Sequence, residues 1–580
     1  MRASYIFPVL IIMFIALFFM SCPSPAGARL TGKNSAFGRK DALALGIIML
    51  VYSAVAFLGL GDTSAPESFH RFQSGERAVV DLGQVQEVEG LTFYPGLNTG
   101  SYLIEYSADG IVWRDGGSFE QSYVSLFKWA DVGFADGVVA ARYIRLTASG
   151  DVWLGELGIN GSTGRLDASS QAAELLDEQS VIPDEYSYLN STYFDEIYHA
   201  RTAFENIEGV YPYEVSHPPL GKLIIAIGIQ LFGMTPFGWR FSGVFFGVLM
   251  LPVMYVLIKR LFGSSQIAVC GTAIFAFDFM HFAQTRLATI DTYAVFFILL
   301  MYLFMYAYIS SGKTRYFALS GLFFGIGAAC KWTCIYAGGG LAVIWLIYQL
   351  RQFKPKAFIK SCISGVLFFV LIPTAIYYAS YYPYGQASGL NGIGMYFTSD
   401  YANIVLDNQR FMFTYHSGVN AEHPYSSHWW QWLINERPIL YYLNYFDDGT
   451  RSSFGAFLNP VVCWGGLGAM VICVFYAIRR KDSASLFIVI GYLAQLLPWV
   501  FITRTTFEYH YFPSSIFLIL AICRVLSLIR CNAKSWRFSV YGLTALSLAL
   551  FILFYPALSG MRVNSQIATN LLKWLPNWPF

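Results

Sequence analysis

The 580-residue chain is short of charge: only 13% of its residues are Asp, Glu, Lys or Arg. A soluble globular protein of ordinary composition carries roughly twice that fraction. It also lacks charge of one sign, with 38 Lys and Arg against 36 Asp and Glu. No basic excess is available to hold a nucleic-acid backbone, so nucleic acid is excluded as a partner. Cysteine is absent from the two large polar segments, residues 62 to 193 and 381 to 455, so no disulfide staples them. The nine cysteines fall in or beside apolar runs, where cysteine acts as a small hydrophobe, and none has metal-ligand spacing with histidine.

Long apolar runs are what the chain has in quantity. About twelve reach, or come close to, the ~20 residues a helix needs to cross ~30 Å of hydrocarbon. They lie near 5–21, 42–61, 239–258, 266–282, 288–310, 316–330, 333–350, 361–380, 456–478, 484–503, 508–523 and 538–558. The expected fold is a mainly α, polytopic helical membrane protein. Alternate short loops collect nearly all the Lys and Arg, among them Arg39, Lys40, Lys259, Arg260, Lys313, Arg351 and Arg479 to Lys481, and are expected to be cytoplasmic. The opposite short loops hold only Arg286, Lys331 and Arg504, for which interfacial snorkelling is the plainest reading. The first run also resembles a secretory signal ending at Ala26-Gly27-Ala28. Cleavage there would leave Arg29 to Lys40 outside, so residues 1–41 are expected to form a membrane helix and a cytoplasmic loop.

The polar segments differ in character. Residues 66–165 alternate apolar and polar side chains between Gly and Asp, as in Tyr102 to Ser107 and Ala141 to Leu146, a pattern of short strands in an all-β sandwich. Tyr94, Trp113 and Trp129 have the chemistry to stack on a sugar, but aromatics in a sandwich are more often core. Residues 166–190 read as a linker. The 381–455 loop carries "YHSGVNAEHPYSSHWWQW", whose density of Tyr and Trp suits a membrane-interface belt. Its His416, His423 and His428 lack a carboxylate or cysteine spacing that completes a metal site.

Chemistry concentrates after the linker. In "YFDEIYHARTAF" Asp195 and Glu196 are adjacent acids, with His199 four residues beyond Asp195 and on its face if the stretch is helical. Taken alone, the two acids do no more than complement a helix dipole. His217-Pro218-Pro219 is extended or turned, because each proline restricts the residue before it, and Lys222 opens the next apolar stretch. Arg240 lies in "GWRF", Asp278, Gln284, Arg286 and Asp291 surround one short turn, and Lys331 lies in "CKW". Acids and cations from distant stretches thus fall at one side of the membrane. Charge at that depth is costly and usually serves a site.

The ordered set "DEIYHA", "HPPLGK", "GWRF", "FD…QTR…D" and "KW" resembles the protein O-mannosyltransferase family of the glycosyltransferase C superfamily, from about residue 42 to the C-terminus. The strand order "DLG", "IEYSADGIVW", "ARYIRLTASG", "WLGELGING" resembles the discoidin (coagulation factor 5/8 type C) jelly roll. The resemblance implies a sandwich inserted in the first large extracytoplasmic loop, after the first core span at 42–61. It further implies a catalytic membrane domain at 191–380, the loop at 381–455 and a four-span membrane domain at 456–580. It implies transfer of a sugar, mannose by this likeness, from a polyprenyl-phosphate carrier to a hydroxyl, with protein Ser or Thr ahead of a wall polymer or lipid. Asp195 matches the catalytic acid, and Glu196 shares the base role or positions the acceptor. Arg286 and Lys331, with Arg240 behind them, are expected to bind the donor phosphate. His199, His217, Lys222, Asp291 and His423 are expected to shape the acceptor side or loop, Asp291 by pairing with Arg286. Phosphate is a good leaving group, so neither metal nor cofactor is expected.

Membrane lipid and a carbohydrate ligand of the discoidin-like module are the further expected partners. The setting is a bacterial plasma membrane with the active site outside. A transporter would place charges near mid-bilayer on repeated broken helices, and no such repeat is seen. A carbohydrate-binding receptor would need only a short anchor.

Overall fold

The computed structural model describes residues 37–418, 423–529 and 532–580. The expected span at 5–21 lies outside these. Among the described residues nine helices are long and apolar enough to cross a membrane, or ten if the pair Ser265–Ala276 and Phe279–Thr285, bent by 55°, is one broken span. The 316–330 run forms a helix of 17 residues, Thr314–Cys330, at the short end of the range that crosses a bilayer.

The chain divides into two compact units. One contains the described residues up to Leu58, Val215–Lys222 and Gly243–Phe580; the other contains Gly59–Glu214 and Leu223–Ser242. The helices used below are α1 (Arg39–Phe57), α2 (Glu196–Glu208), α3 (Leu220–Phe232), α4 (Pro236–Phe262), α5 (Ser265–Ala276), α6 (Phe279–Thr285), α7 (Asp291–Ser311), α8 (Thr314–Cys330) and α9 (Thr333–Arg351).

In the first unit, small residues set the closest helix approaches. Gly243 and Gly247 are one turn apart on α4, and a Cβ at either would meet Thr285 at 2.5 and 2.7 Å. This small-xxx-small spacing seats the end of α6, and with it Arg286, against α4. Tyr52 of α1 adds a 2.8 Å hydrogen bond with the Thr285 hydroxyl. At the other end of α1 the buried Asp41 accepts from Tyr255 at 2.5 Å and pairs with Lys259, so these charges of α1 and α4 neutralise each other. The Tyr-rich stretch after Ser380 is no loose belt: Tyr381, Tyr384 and Tyr401 are buried in a small core with Met395 and Val405.

The second unit carries the β-sandwich. Its two antiparallel sheets comprise β1 (His70–Phe72), β2 (Arg77–Val88), β3 (Gly90–Pro95), β4 (Gly100–Ser107), β5 (Arg114–Gln121), β6 (Ala130–Gly133), β7 (Val139–Ala148), β8 (Val152–Gly161), β9 (Gly164–Leu166) and β10 (Ser169–Ser170). The orders are β1-β8-β3-β6, with β9 on β8, and β10-β2-β7-β4-β5. Alternate residues such as Val80, Leu82, Ile104, Ile144 and Leu146 point into one core, as a period of two requires. Tyr94 and Trp129 are buried and so committed to packing, and Arg145 stacks on the partly buried Trp113 at 4.0 Å.

One buried acid makes this unit sensitive to pH. Glu156 on β8 accepts from the Glu178 amide at 2.9 Å and from Gln179, and burial, with Asp177 and Glu178 nearby, pushes its carboxyl up to about 7. The folded sandwich therefore keeps a proton that the unfolded chain releases near 4.5. Stability is fully present below about 4.5 and is lost as pH rises through about 7, by on the order of 3 kcal/mol. Hydrogen exchange of β8 in the full chain, corrected for intrinsic rates, is expected to show protection falling from pH 5 to pH 8. Glu156→Gln is expected to flatten that trend, and rising protection would contradict the assignment.

Candidate active site

In the second unit the acidic pair opens α2. Phe194, just before it, has φ +49°, a left-handed conformation that costs a bulky residue about 1–3 kcal/mol and is characteristic of functional sites. Asp195 stands at the N-cap position, where its charge complements the helix dipole, and makes no side-chain capping bond. It is half-buried, whereas its neighbour Glu196 is fully buried. Adjacent helical residues point about 100° apart, and that rotation separates the two acids.

Glu196 is held by Arg240, Nε to Oε1 and Nη2 to Oε2, both at 2.8 Å, and accepts from Trp239 Nε1 at 3.2 Å. Arg240 Nη1 also donates to the Leu60 and Tyr188 carbonyls at 2.9 and 2.7 Å, and Nη2 to Ser191 at 3.0 Å. All five guanidinium N–H groups are thus spent on protein acceptors. Arg240, expected at the donor phosphate, is a fully satisfied buried cation with no donor to offer one. Its partner Glu196 lies 44 positions earlier, a pairing that no local motif announces. His199, also buried, has Nδ1 3.9 Å from the Glu214 carboxylate.

In the first unit Arg286 follows α6, is 1% exposed, and donates through Nη1 to the Ala56 and Leu58 carbonyls at 2.5 and 2.9 Å. These belong to the C-terminal end of α1, where carbonyls lack helical partners and cations are favoured. Lys331 follows α8 and donates to both oxygens of Asp291 at 2.7 and 2.8 Å. The carboxylate for which the sequence offered Arg286 thus holds Lys331. The Lys331 ammonium lies 5.5 Å from the Tyr509 ring centre.

The same unit gathers further charge that the sequence did not connect. His416 Nε2 donates to the Ser216 carbonyl at 2.7 Å, and its ring meets His217 at 5.1 Å and Trp332 at 6.2 Å. Burial pushes its pKa down to about 4, and His217, Arg504 and Lys331 push the same way. His416 is neutral at pH 7, beside the cations Lys331 and Arg504. The signals were present, a histidine in the aromatic loop and an isolated cation in a short loop, but neither sequence position points to the other. Lys222 is buried and donates to the His217 carbonyl at 3.0 Å, fixing the turn through the two prolines. His423 packs edge-on to Phe507 at 4.9 Å, and burial lowers its pKa. Among the described residues His416, His423 and His428 belong to no group of metal-binding size.

Apolar spans with charged side chains buried at their ends define a polytopic helical membrane protein, and a solved structure shares its fold. The S. cerevisiae protein O-mannosyltransferase Pmt1-Pmt2 complex bound to the sugar donor matches with TM-score 0.58 at 15% identity, over 67% of this chain and 89% of that one. Residues 216–378 match the family described as dolichyl-phosphate-mannose-protein mannosyltransferase, and residues 402–578 the C-terminal four-transmembrane region of protein O-mannosyltransferase. The polyprenol-phosphate-mannose–protein mannosyltransferases of Mycobacterium tuberculosis and Mycolicibacterium smegmatis are 26% and 28% identical, each over 66% of this chain and 86% and 87% of their own lengths. The chain belongs to the protein O-mannosyltransferase family.

Proposed function

We propose that this chain transfers mannose from a polyprenyl-phosphate carrier to a Ser or Thr hydroxyl of a polypeptide at the extracytoplasmic face of a bacterial plasma membrane. The observation that carries the reading is the different burial of two adjacent acids: Glu196 is fully buried in an ion pair with Arg240, while Asp195, beside it at the start of α2, is only partly buried. The acceptor oxygen attacks the anomeric carbon from the face opposite the phosphate, and Asp195 takes its proton. The bond from that carbon to the phosphate oxygen breaks, the phosphate leaves with the electron pair, and the anomeric centre inverts.

Arg286 and Lys331 are the cations assigned to the departing phosphate, with Arg504 adding positive potential beside Lys331. Arg240 has no part in that step; it positions α2. His199, His217, Lys222 and His423 shape the surrounding loops, and Asp291 orients Lys331. No cofactor enters the step, because the phosphate is already a good leaving group.

The test is transfer of radiolabelled mannose from polyprenyl-phosphate-mannose to a Ser/Thr-rich peptide, in membranes with and without the chain. Label in the peptide supports the reading, whereas label found only in lipid or wall polymer overturns the acceptor. Lys331→Met is expected to reduce donor use about 10²-fold. Since this strands the Asp291 carboxylate, the double variant with Asp291→Asn is measured too. It is expected to recover stability but not transfer, and recovery of both would assign Lys331 a purely structural role.

A further inference from the structure

Three tyrosines of the second unit come from separate stretches: Tyr123 follows β5 of the sandwich, Tyr198 lies on α2, and Tyr213 follows α2. Their ring centres are 6.5 Å apart for Tyr123 and Tyr198, 6.0 Å for Tyr123 and Tyr213, and 6.5 Å for Tyr198 and Tyr213. The planes are close to parallel, at 27°, 22° and 10°. Carbon atoms in contact lie ~3.5–4.0 Å apart, so a column of three rings would separate the outer pair by about 7 Å or more. The observed triangle is tighter than that. At least two rings therefore lie side by side and make a face broader than one ring. Tyr123 and Tyr213 are 44% and 45% exposed.

This face is braced from within. The Arg201 guanidinium lies 4.0 Å from the Tyr213 ring centre, and its Nε donates to Glu205 Oε1 at 2.7 Å. Glu205 Oε2 accepts from the Tyr213 amide at 2.7 Å and from the Thr202 hydroxyl at 3.1 Å. Arg201 and Glu205 are both buried. Burying an ion pair costs desolvation, and here the pair fixes the backbone and one face of a side chain that remains half in solvent. The result is a surface ordered before anything binds, which lowers the entropy cost of binding.

Resting on the acceptor reading above, we propose that Tyr123, Tyr198 and Tyr213 seat the acceptor residues flanking the target hydroxyl, and that proline is the preferred flanking residue. The Tyr198 amide donates to the Asp195 carbonyl at 3.1 Å, so the two residues share one turn of α2. Three helical positions rise about 4.5 Å, one to two residues of an extended peptide. Aromatic faces recognise proline-containing segments because these are already extended and lose little freedom on docking. The inserted sandwich, through Tyr123, then takes part in choosing acceptors.

The experiment uses the full chain in nanodiscs with two fluorescent Thr peptides, one flanked by proline and one by alanine. Binding is read by anisotropy and transfer from polyprenyl-phosphate-mannose separately. The wild type is expected to bind the proline peptide about 5–10-fold more tightly. Tyr123→Ala and Tyr213→Ala are expected to erase that preference, raising KM rather than lowering kcat, and the Phe variants to keep it. Equal binding of the two peptides by wild type overturns the proposal, as does a preference that survives both Ala variants. Tyrosine-dependent binding that appears only with mannosylated peptide or lipid vesicles also overturns it. A wild type that shows the tyrosine-dependent preference but transfers no mannose would retain this proposal and remove the catalytic reading instead.

Discussion

Replacing Asp195 by Asn is expected to lower mannosyl transfer by about 10²–10⁴-fold, the range lost with a positioned general base. Asn keeps the size and polarity of the side chain but cannot take the acceptor proton. The loss should appear in kcat rather than in donor KM, because the donor phosphate is assigned to Arg286 and Lys331. The decisive comparison is Glu196→Gln in the same assay. Glu196 accepts from Arg240 and Trp239, so its variant should lose stability together with activity. If Asp195→Asn transfers mannose at the wild-type rate, Asp195 is not the base and the assignment falls.

Arg240→Met is expected to cost about 3–5 kcal/mol of stability, the range for removing one partner of a buried ion pair. Both side chains of the pair are 0% exposed. Removal leaves the Glu196 carboxylate with a much weakened set of donors, and the carbonyls of Leu60, Tyr188 and Ser191 lose theirs as well. Thermal unfolding of the purified protein is the direct measurement. The double variant with Glu196→Gln removes the stranded charge and should recover part of the loss. Were Arg240 a phosphate ligand, the single variant would instead melt normally and show a raised donor KM. Lys substitution should not rescue: an ammonium has three donors on a flexible stem and cannot reproduce five in a fixed plane.

Much of the fold was legible because hydrophobic length and alternation are local properties. Most of the long apolar runs of the sequence became helices able to cross a membrane, and the alternating segment became two antiparallel sheets. The places where charge collects were also legible, since Asp195, Arg286 and Lys331 stand out against apolar surroundings. What each charge does was not. Asp195 and Glu196 are neighbours of the same chemical type, yet one is only partly buried and the other wholly buried in an ion pair. Asp291 was within five residues of Arg286 but holds Lys331, 40 residues away.

The sequence by itself determined the class of molecule, the existence of the sandwich, and the short set of side chains able to do chemistry, because each rests on composition or on a period read within a few turns; that the sandwich takes in Ser169–Ser170, Ala172 and Leu175 of the expected linker was not legible. The tertiary structure alone decided that Arg240 pairs with Glu196, that His416 lies beside Lys331 and Arg504, and that three tyrosines from separate stretches share one face. These depend on which distant backbone groups and counter-charges surround a side chain, and a buried charge takes its role from whatever satisfies it.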